Sequence, residues 1–304
     1  MSTKTQLVVK SNHLIEASYK LDLAEQRIIL MAIFMARESK NGITADSFLT
    51  ISAHDFANLF GIDIKTAYDQ LKSTAVTLYG RNILLRDIHT PSGKEREIRA
   101  RWVSAIAYVP DAALIQIQFS GIIVPYITKL EREFTSYKIS MVAKMTSIYA
   151  IRLYELLIQW GSIGSREIEL DELKFMLGIQ GEYAAIKDLK RRVIDPAVTQ
   201  ISEHTDLTVR YENVKSGKTV VALTFLFEKK KQQLQQKQPV QPMPAALPPV
   251  ALSLAERDML KQVMASTGQT QEQVLRRCAE MNSDIFLALD QWLRQLKKSQ
   301  NTNT

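Results

Sequence analysis

The chain has 304 residues, 46% of them hydrophobic and 23% charged, so most of it can bury enough apolar surface to fold and extended disorder is excluded outside local segments. A formal net charge of +7 biases its partners toward polyanions, because a basic surface concentrates phosphates around itself. A single cysteine, Cys278, excludes an intramolecular disulfide or a cysteine-based zinc cluster and fits a reducing cytoplasm.

Near the N-terminus, "LAEQRIILMAIFMAR" reads as a long buried helix. Its apolar run is far shorter than the roughly 20 residues that span a bilayer, and no signal peptide or membrane association is expected. Next comes "ISAHDFANLFGI" at 51–62, which aligns without gaps on "IELDELKFMLGI" at 168–179. Ile51, Phe56, Phe60, Gly61 and Ile62 fall on Ile168, Leu173, Leu177, Gly178 and Ile179, and a little further on "YDQLK" matches "YAAIK". Each copy reads as a short helix, a glycine-capped turn and a longer helix, which is a helix-turn-helix. The flanks repeat too. "SIYAIRLYELLIQWG" supplies the upstream helix of the second copy, and alternating strands follow both copies. In the first these are "REIRARWVSAIAYV" and "LIQIQFS". In the second they are "DLTVRYENV" and "TVVALTFLFEKK", joined by "KSGK". Helix, helix-turn-helix and hairpin define a winged helix, present twice.

The expected class is therefore α+β: tandem winged-helix domains over residues 1–135 and 136–230, a Gln/Pro-rich linker over 231–251, and a separate small helical tail over 252–304. Helix starts in the tail are signalled by "SLAE" and "TQEQ".

In a winged helix the second helix enters the major groove and the wing lies along phosphates. On "IKDLKRRVIDPAVTQI" a helical projection puts Ile186, Leu189, Val193, Ala197 and Ile201 on one stripe, with Lys187 and Arg191 opposite and Lys190 and Arg192 on its flanks. Lys187 and Arg191 are the expected base readers, and Lys190 and Arg192 the expected phosphate contacts. Pro196 predicts a bend that ends the groove-reading half. The first copy is less basic at the same place, offering Lys65, Thr66, Gln70, Lys72, Ser73 and Arg81. Wing cations are expected at Lys94, Arg96, Arg99 and Arg101 in the first copy and at Lys215 and Lys218 in the second. Trp102 and Trp160 are expected in the core.

Enzymatic readings find no support. "SGKT" at 216–219 ends like a phosphate-binding loop, but Glu212 stands where its first glycine belongs. The four histidines are isolated, so a metal-assisted nicking nuclease has no visible site, and no cofactor is expected.

The segment "LxxxEQRIILMAI", the tandem arrangement and above all "YAAIKDLKRRVIDPAVTQISEHTDLTVRYE" resemble the iteron-binding plasmid replication initiators of bacteria, over about residues 5 to 230. The resemblance implies binding to double-stranded DNA at directly repeated origin sites and melting of an adjacent AT-rich region with the host replication initiator. It also implies recruitment of the replicative helicase, a homodimer that represses its own gene at an operator in exchange with a monomer, and regulation by Hsp70-type chaperones. The family's main base-reading helix corresponds here to residues 183–202. A transcription regulator of the same fold without origin function is the alternative.

Overall fold

The computed structural model describes residues 6–38, 42–87, 96–128, 133–230 and 254–267, together with Val274 and Leu289. Two compact units result, residues 1–231 and 232–304. In the second, helix Leu254–Thr267 carries the buried Leu260 and Val263; Ser253, which opens the "SLAE" signal, lies outside the described residues. The linker, the "TQEQ" start and Cys278 lie outside the described residues.

The first unit opens with β1 (Leu7–Ser11), α1 (Asn12–Glu16), β2 (Ser18–Tyr19) and α2 (Leu23–Glu38). Asp22 and Glu25 cap the start of α2 reciprocally, each carboxylate accepting the other residue's backbone N–H at 2.8 Å. The first winged helix continues with β3 (Phe48–Ser52), α3 (Ala53–Phe60) and α4 (Ile64–Thr77), then β4 (Asn82–Asp87), β5 (Arg96–Arg101), β6 (Val103–Val109) and β7 (Leu114–Phe119). β8 (Phe134–Lys138) returns to pair with β1, so the expected boundary between residues 135 and 136 falls inside a strand. A short α5 (Ser140–Ala143) leads into the second winged helix. It comprises α6 (Ile148–Ile158), β9 (Ser165–Glu169), α7 (Leu170–Met176), α8 (Ile186–Leu189), a π-turn (Lys190–Ile194), α9 (Asp195–His204), β10 (Leu207–Ser216) and β11 (Thr219–Lys229).

The two copies share a sheet topology. β9 pairs with β11 and β11 with β10; in the same way β3 pairs with β7 and β7 with β6, all antiparallel. The aligned residues Ile51 and Ile168 sit on the first strand of each set and are buried, and Phe56 and Leu173 are buried on the first helix of each pair. Gly61 and Gly178 close those helices at φ 63° and 69°, a backbone region that glycine enters without steric cost.

The strands after the first copy differ from expectation. "REIRARWVSAIAYV" is not one strand but two, broken at the fully buried Trp102. Its second half, β6, forms the hairpin equivalent to the wing, and that hairpin turns through residues 110–113 with neither a cation nor a glycine. Its first half, β5, pairs with β4, which in turn pairs with β2. A three-stranded sheet is thus inserted between helix-turn-helix and wing, and it carries Arg96, Arg99 and Arg101 of the cations attributed to the first wing.

One apolar core runs through both winged helices. Where they meet, charge is buried too. Lys10 and Tyr137 both donate to Glu155 Oε1, at 2.7 and 2.6 Å. Arg152 reaches Glu155 Oε2 at 3.2 Å and the carbonyls of Ile15, Ala17 and Met176 at 2.7–2.9 Å. Burial alone would push the Glu155 carboxyl up, but Lys10 and Arg152 outweigh it and hold the carboxyl below the usual range. Trp160, expected in the core, is instead 41% exposed at the end of α6, where the Arg166 guanidinium lies 5.5 Å from its ring.

Candidate nucleic-acid interface

The second helix of the second copy is continuous from Ile186 to His204 but not uniform. Its buried side chains are Leu189, Val193, Ile194, Ala197 and Ile201, and all but Ile194 recur at every fourth position. In a regular helix of 3.6 residues per turn such a stripe drifts by about 40° per step. The wider π-turn at Lys190–Ile194, where Asp195 N–H donates to the Lys190 carbonyl five residues back, absorbs the drift and keeps the stripe on the core. Pro196 lies at the start of the α-helical part that follows and has no N–H to offer Arg192. Next to Pro196 the irregularity of the helix is the π-turn just before it.

That π-turn carries three of the four cations of the basic cluster, and α8 carries the fourth, Lys187. Lys187, Arg191 and Arg192 are exposed. Arg191 forms an ion pair with Asp188 at 2.9 Å within the helix. Lys190 is half-buried and tied to the wing: it donates to Asn213 Oδ1 on β10 and lies 5.3 Å from the Tyr211 ring centre. The Tyr211 hydroxyl in turn donates to Asp195 Oδ1 at 2.6 Å, and burial together with that bond raises its pKa. This Tyr211, Asn213 and Asp195 bracket, which orients the π-turn against the wing, escaped the sequence reading. Its signal was the polar alternation of "RYEN" on a strand that faces the helix.

The wing is the β10–β11 hairpin, turning on Gly217 and Lys218 with Gly217 at φ 61°. Lys215 and Lys218 are both exposed on it. Between its tip and the helix start lies a cavity of about 350 Å³, lined by Tyr183, Ile186, Leu189, Lys218 and Val220 among others. Tyr183 enters the helix from a left-handed conformation, φ 53°, and hydrogen-bonds Tyr149, whose hydroxyl is pushed up to about 12 by burial and this contact.

In the first copy α4 starts at Ile64, right after the Gly61 turn, whereas α8 starts at Ile186, well after Gly178. Superposing the helix starts pairs Lys65 with Lys187 and the buried Ala67 and Leu71 with Leu189 and Val193. Allowing one extra residue for the π-turn then pairs Thr74 and Leu78 with Ala197 and Ile201. The alignment of "YDQLK" on "YAAIK" is therefore corrected: Tyr68 lies within α4, while Tyr183 precedes α8.

Several polar residues expected at DNA in the first copy are engaged by the fold. Thr66 closes the α4 cap on Asp63 through its backbone N–H, at 3.0 Å, and its hydroxyl. Ser73 donates to the Gln70 carbonyl at 3.0 Å, and Gln70 Oε1 is buried. Arg81 places its Nε 2.8 Å from both oxygens of the buried Glu25 carboxylate, which makes it an anchor of the α2 capping box. Lys65 and Lys72 are exposed on α4. Arg96, Arg99 and Arg101 are exposed on β5 of the inserted sheet, and the Arg101 guanidinium sits 4.8 Å from the Tyr79 ring, just past α4. Lys94 lies outside the described residues.

Among the described residues no group of His, Cys, Asp and Glu could hold a metal ion, and no helix is long and apolar enough to cross a membrane.

Comparison with known proteins agrees with this geometry. Residues 7–158 match the family model described as initiator replication protein, WH1, and residues 169–227 match initiator Rep protein, WH2. A replication initiation protein of Escherichia coli is 25% identical over 73% of this chain and 69% of its own length. The PI protein of Escherichia coli is 26% identical over 71% of this chain and 80% of its own. The crystal structure of a Pi initiator protein in complex with iteron DNA superposes with a TM-score of 0.62 at 24% identity, covering 76% of this chain and all of the other, which is likeness of fold. With two winged helices in series and both halves of the family model matched in order, the chain belongs to the family of initiator replication proteins.

Proposed function

We propose that this protein initiates replication of a bacterial plasmid by binding directly repeated sites, iterons, at its origin, as a non-enzymatic, sequence-specific DNA-binding protein. The observation that carries this reading is the basic face of the second helix: Lys187, Arg191 and Arg192 stand exposed on it beside a wing bearing Lys215 and Lys218. Lys187 and Arg191 read base edges, Arg192 and the wing lysines hold phosphates, and Lys190 sets the angle between helix and wing. Lys65 and Lys72 on α4, with Arg99 and Arg101 on the inserted sheet, extend the contact to a second stretch of DNA. Membership in the family supports melting of adjacent AT-rich DNA with the host initiator, helicase recruitment, and a chaperone-regulated dimer that represses its own gene.

The test is footprinting on the plasmid's own origin. Direct repeats of about two helical turns should be protected. Lys187→Ala or Arg191→Ala should each cost roughly 1–3 kcal/mol and relax specificity at one position. Equal loss on unrelated DNA would refute base reading, and protection of a lone palindrome alone would make the protein a transcription regulator.

A further inference from the structure

The outward face of α4 differs in chemistry from its counterpart. Ile64, Tyr68, Val76 and Tyr79 are 47%, 40%, 79% and 43% exposed, and they are among the most exposed large hydrophobic residues described. Single exposed apolar residues are ordinary, but these four share one face. At 100° per residue, Tyr68, Lys72 and Val76 fall within about 80° of arc, off the buried stripe of Ala67, Leu71, Thr74 and Leu78, with Ile64 at the border between the two. Lys65, Lys72 and the acidic Asp69 stand among them, and Arg101 flanks Tyr79, so the face is positive on balance.

Superposed by helix start and buried stripe, Tyr68 occupies the place of Lys190, and Val76 that of Thr199. At these places the second copy has a lysine whose amine is tied to Asn213 of the wing and an exposed threonine, whereas the first presents an aromatic ring and a branched aliphatic chain. Of the groups on base edges in the major groove, one is apolar: the C5-methyl of thymine. Cationic side chains on the same face favour a polyanion over an apolar protein partner.

We infer that α4 reads thymine, with Tyr68 and Val76 packing on C5-methyl groups while Lys65 and Lys72 hold the phosphates on either side. This rests on the reading that the second helix of each copy enters the major groove. Tyr68 and Val76 are eight residues apart, about 12 Å along the helix axis, so the methyl groups they meet lie on different base pairs, at most about four apart.

Replacing thymines of one origin repeat by deoxyuridine, one at a time, removes the methyl and leaves every hydrogen-bonding group in place. Binding of the full chain should weaken three- to tenfold at two positions in the part of the repeat that the first winged helix protects. Tyr68→Ala should abolish the deoxyuridine penalty at one of them and Val76→Ala at the other, each lowering affinity for thymine DNA by the same factor. Melting temperatures should be unchanged, since both side chains are exposed. Specific binding that is indifferent to deoxyuridine, or variants that lose affinity equally on both DNAs, would overturn the inference alone. Variants that bind DNA normally but change the oligomeric state would make this face a protein contact and overturn it as well. Absence of any sequence-specific binding would remove the DNA reading and this inference together.

Discussion

The two winged helices are built on one plan and finished in opposite ways. The first has a short Gly61 turn, a side-chain cap at Asp63, a regular α4 with buried residues spaced four, three and four, and an outer face that mixes apolar side chains with two lysines. The second has a longer connection, no side-chain cap at Ala185, a buried stripe spaced four with Ile194 added at a π-turn, and an outer face crowded with cations. The difference teaches that a repeat conserves its core positions, because those must interlock, while the groove face is free to take whatever chemistry its ligand rewards.

The two capping glycines break the likeness most sharply. A Cβ on Gly61 would meet nothing within 4 Å, whereas one on Gly178 would lie 2.2 Å from the Tyr19 carbonyl oxygen. Gly61→Ala should therefore cost only the left-handed penalty, about 1–2 kcal/mol. Gly178→Ala adds a backbone clash with β2, and urea denaturation should show it destabilised by about 3 kcal/mol or more. Equal losses would mean that the contact with β2 gives way easily.

The wing cations come next. Lys215→Ala and Lys218→Ala should each weaken binding evenly on all sequences and lower the slope of log K against log salt by about 1. Arg99→Ala and Arg101→Ala should do the same if the inserted sheet tracks the backbone as the second wing does. An unchanged slope would confine DNA contact in the first copy to α4.

The caps give a pH test of the same comparison. Hydrogen bonds from Thr66 hold the Asp63 carboxyl below its ordinary value. A group whose folded pKa is depressed stabilises the fold above its unfolded pKa and ceases to do so as pH falls through the folded value. Asp63→Ala should lower the melting temperature at neutral pH and lose less of it on acidification. No equivalent substitution exists at Ala185.

The smallest effect concerns Asp188, which pairs with Arg191 in the free protein. An exposed pair three residues apart contributes about 0.3–0.5 kcal/mol. Asp188→Asn should accordingly raise DNA affinity by about a factor of two, read as a slower dissociation rate.

Much of this was legible along the chain. Gly61 and Gly178 marked both turns, and the cations at 187–192 stood where a groove-facing helix places them. Tyr68 and Val76 could have been found as apolar residues lying off the buried stripe of α4. By contrast, nothing local distinguishes the Arg81 that binds Glu25 from a cation left for DNA, because the pair joins residues 56 positions apart. Nor does "REIRARWVSAIAYV" announce its break, which depends on Trp102 entering the core.

Periodicity and turn chemistry act over a few residues, so the amino-acid sequence by itself determined the helices, their caps, the twofold repeat and the basic face of the second copy. Which strands pair, which arginines are spent inside the molecule, and how closely Gly178 approaches Tyr19 depend on contacts between distant segments. Those were decided only in the tertiary structure, where burial makes an unpaired charge or a misplaced backbone costly.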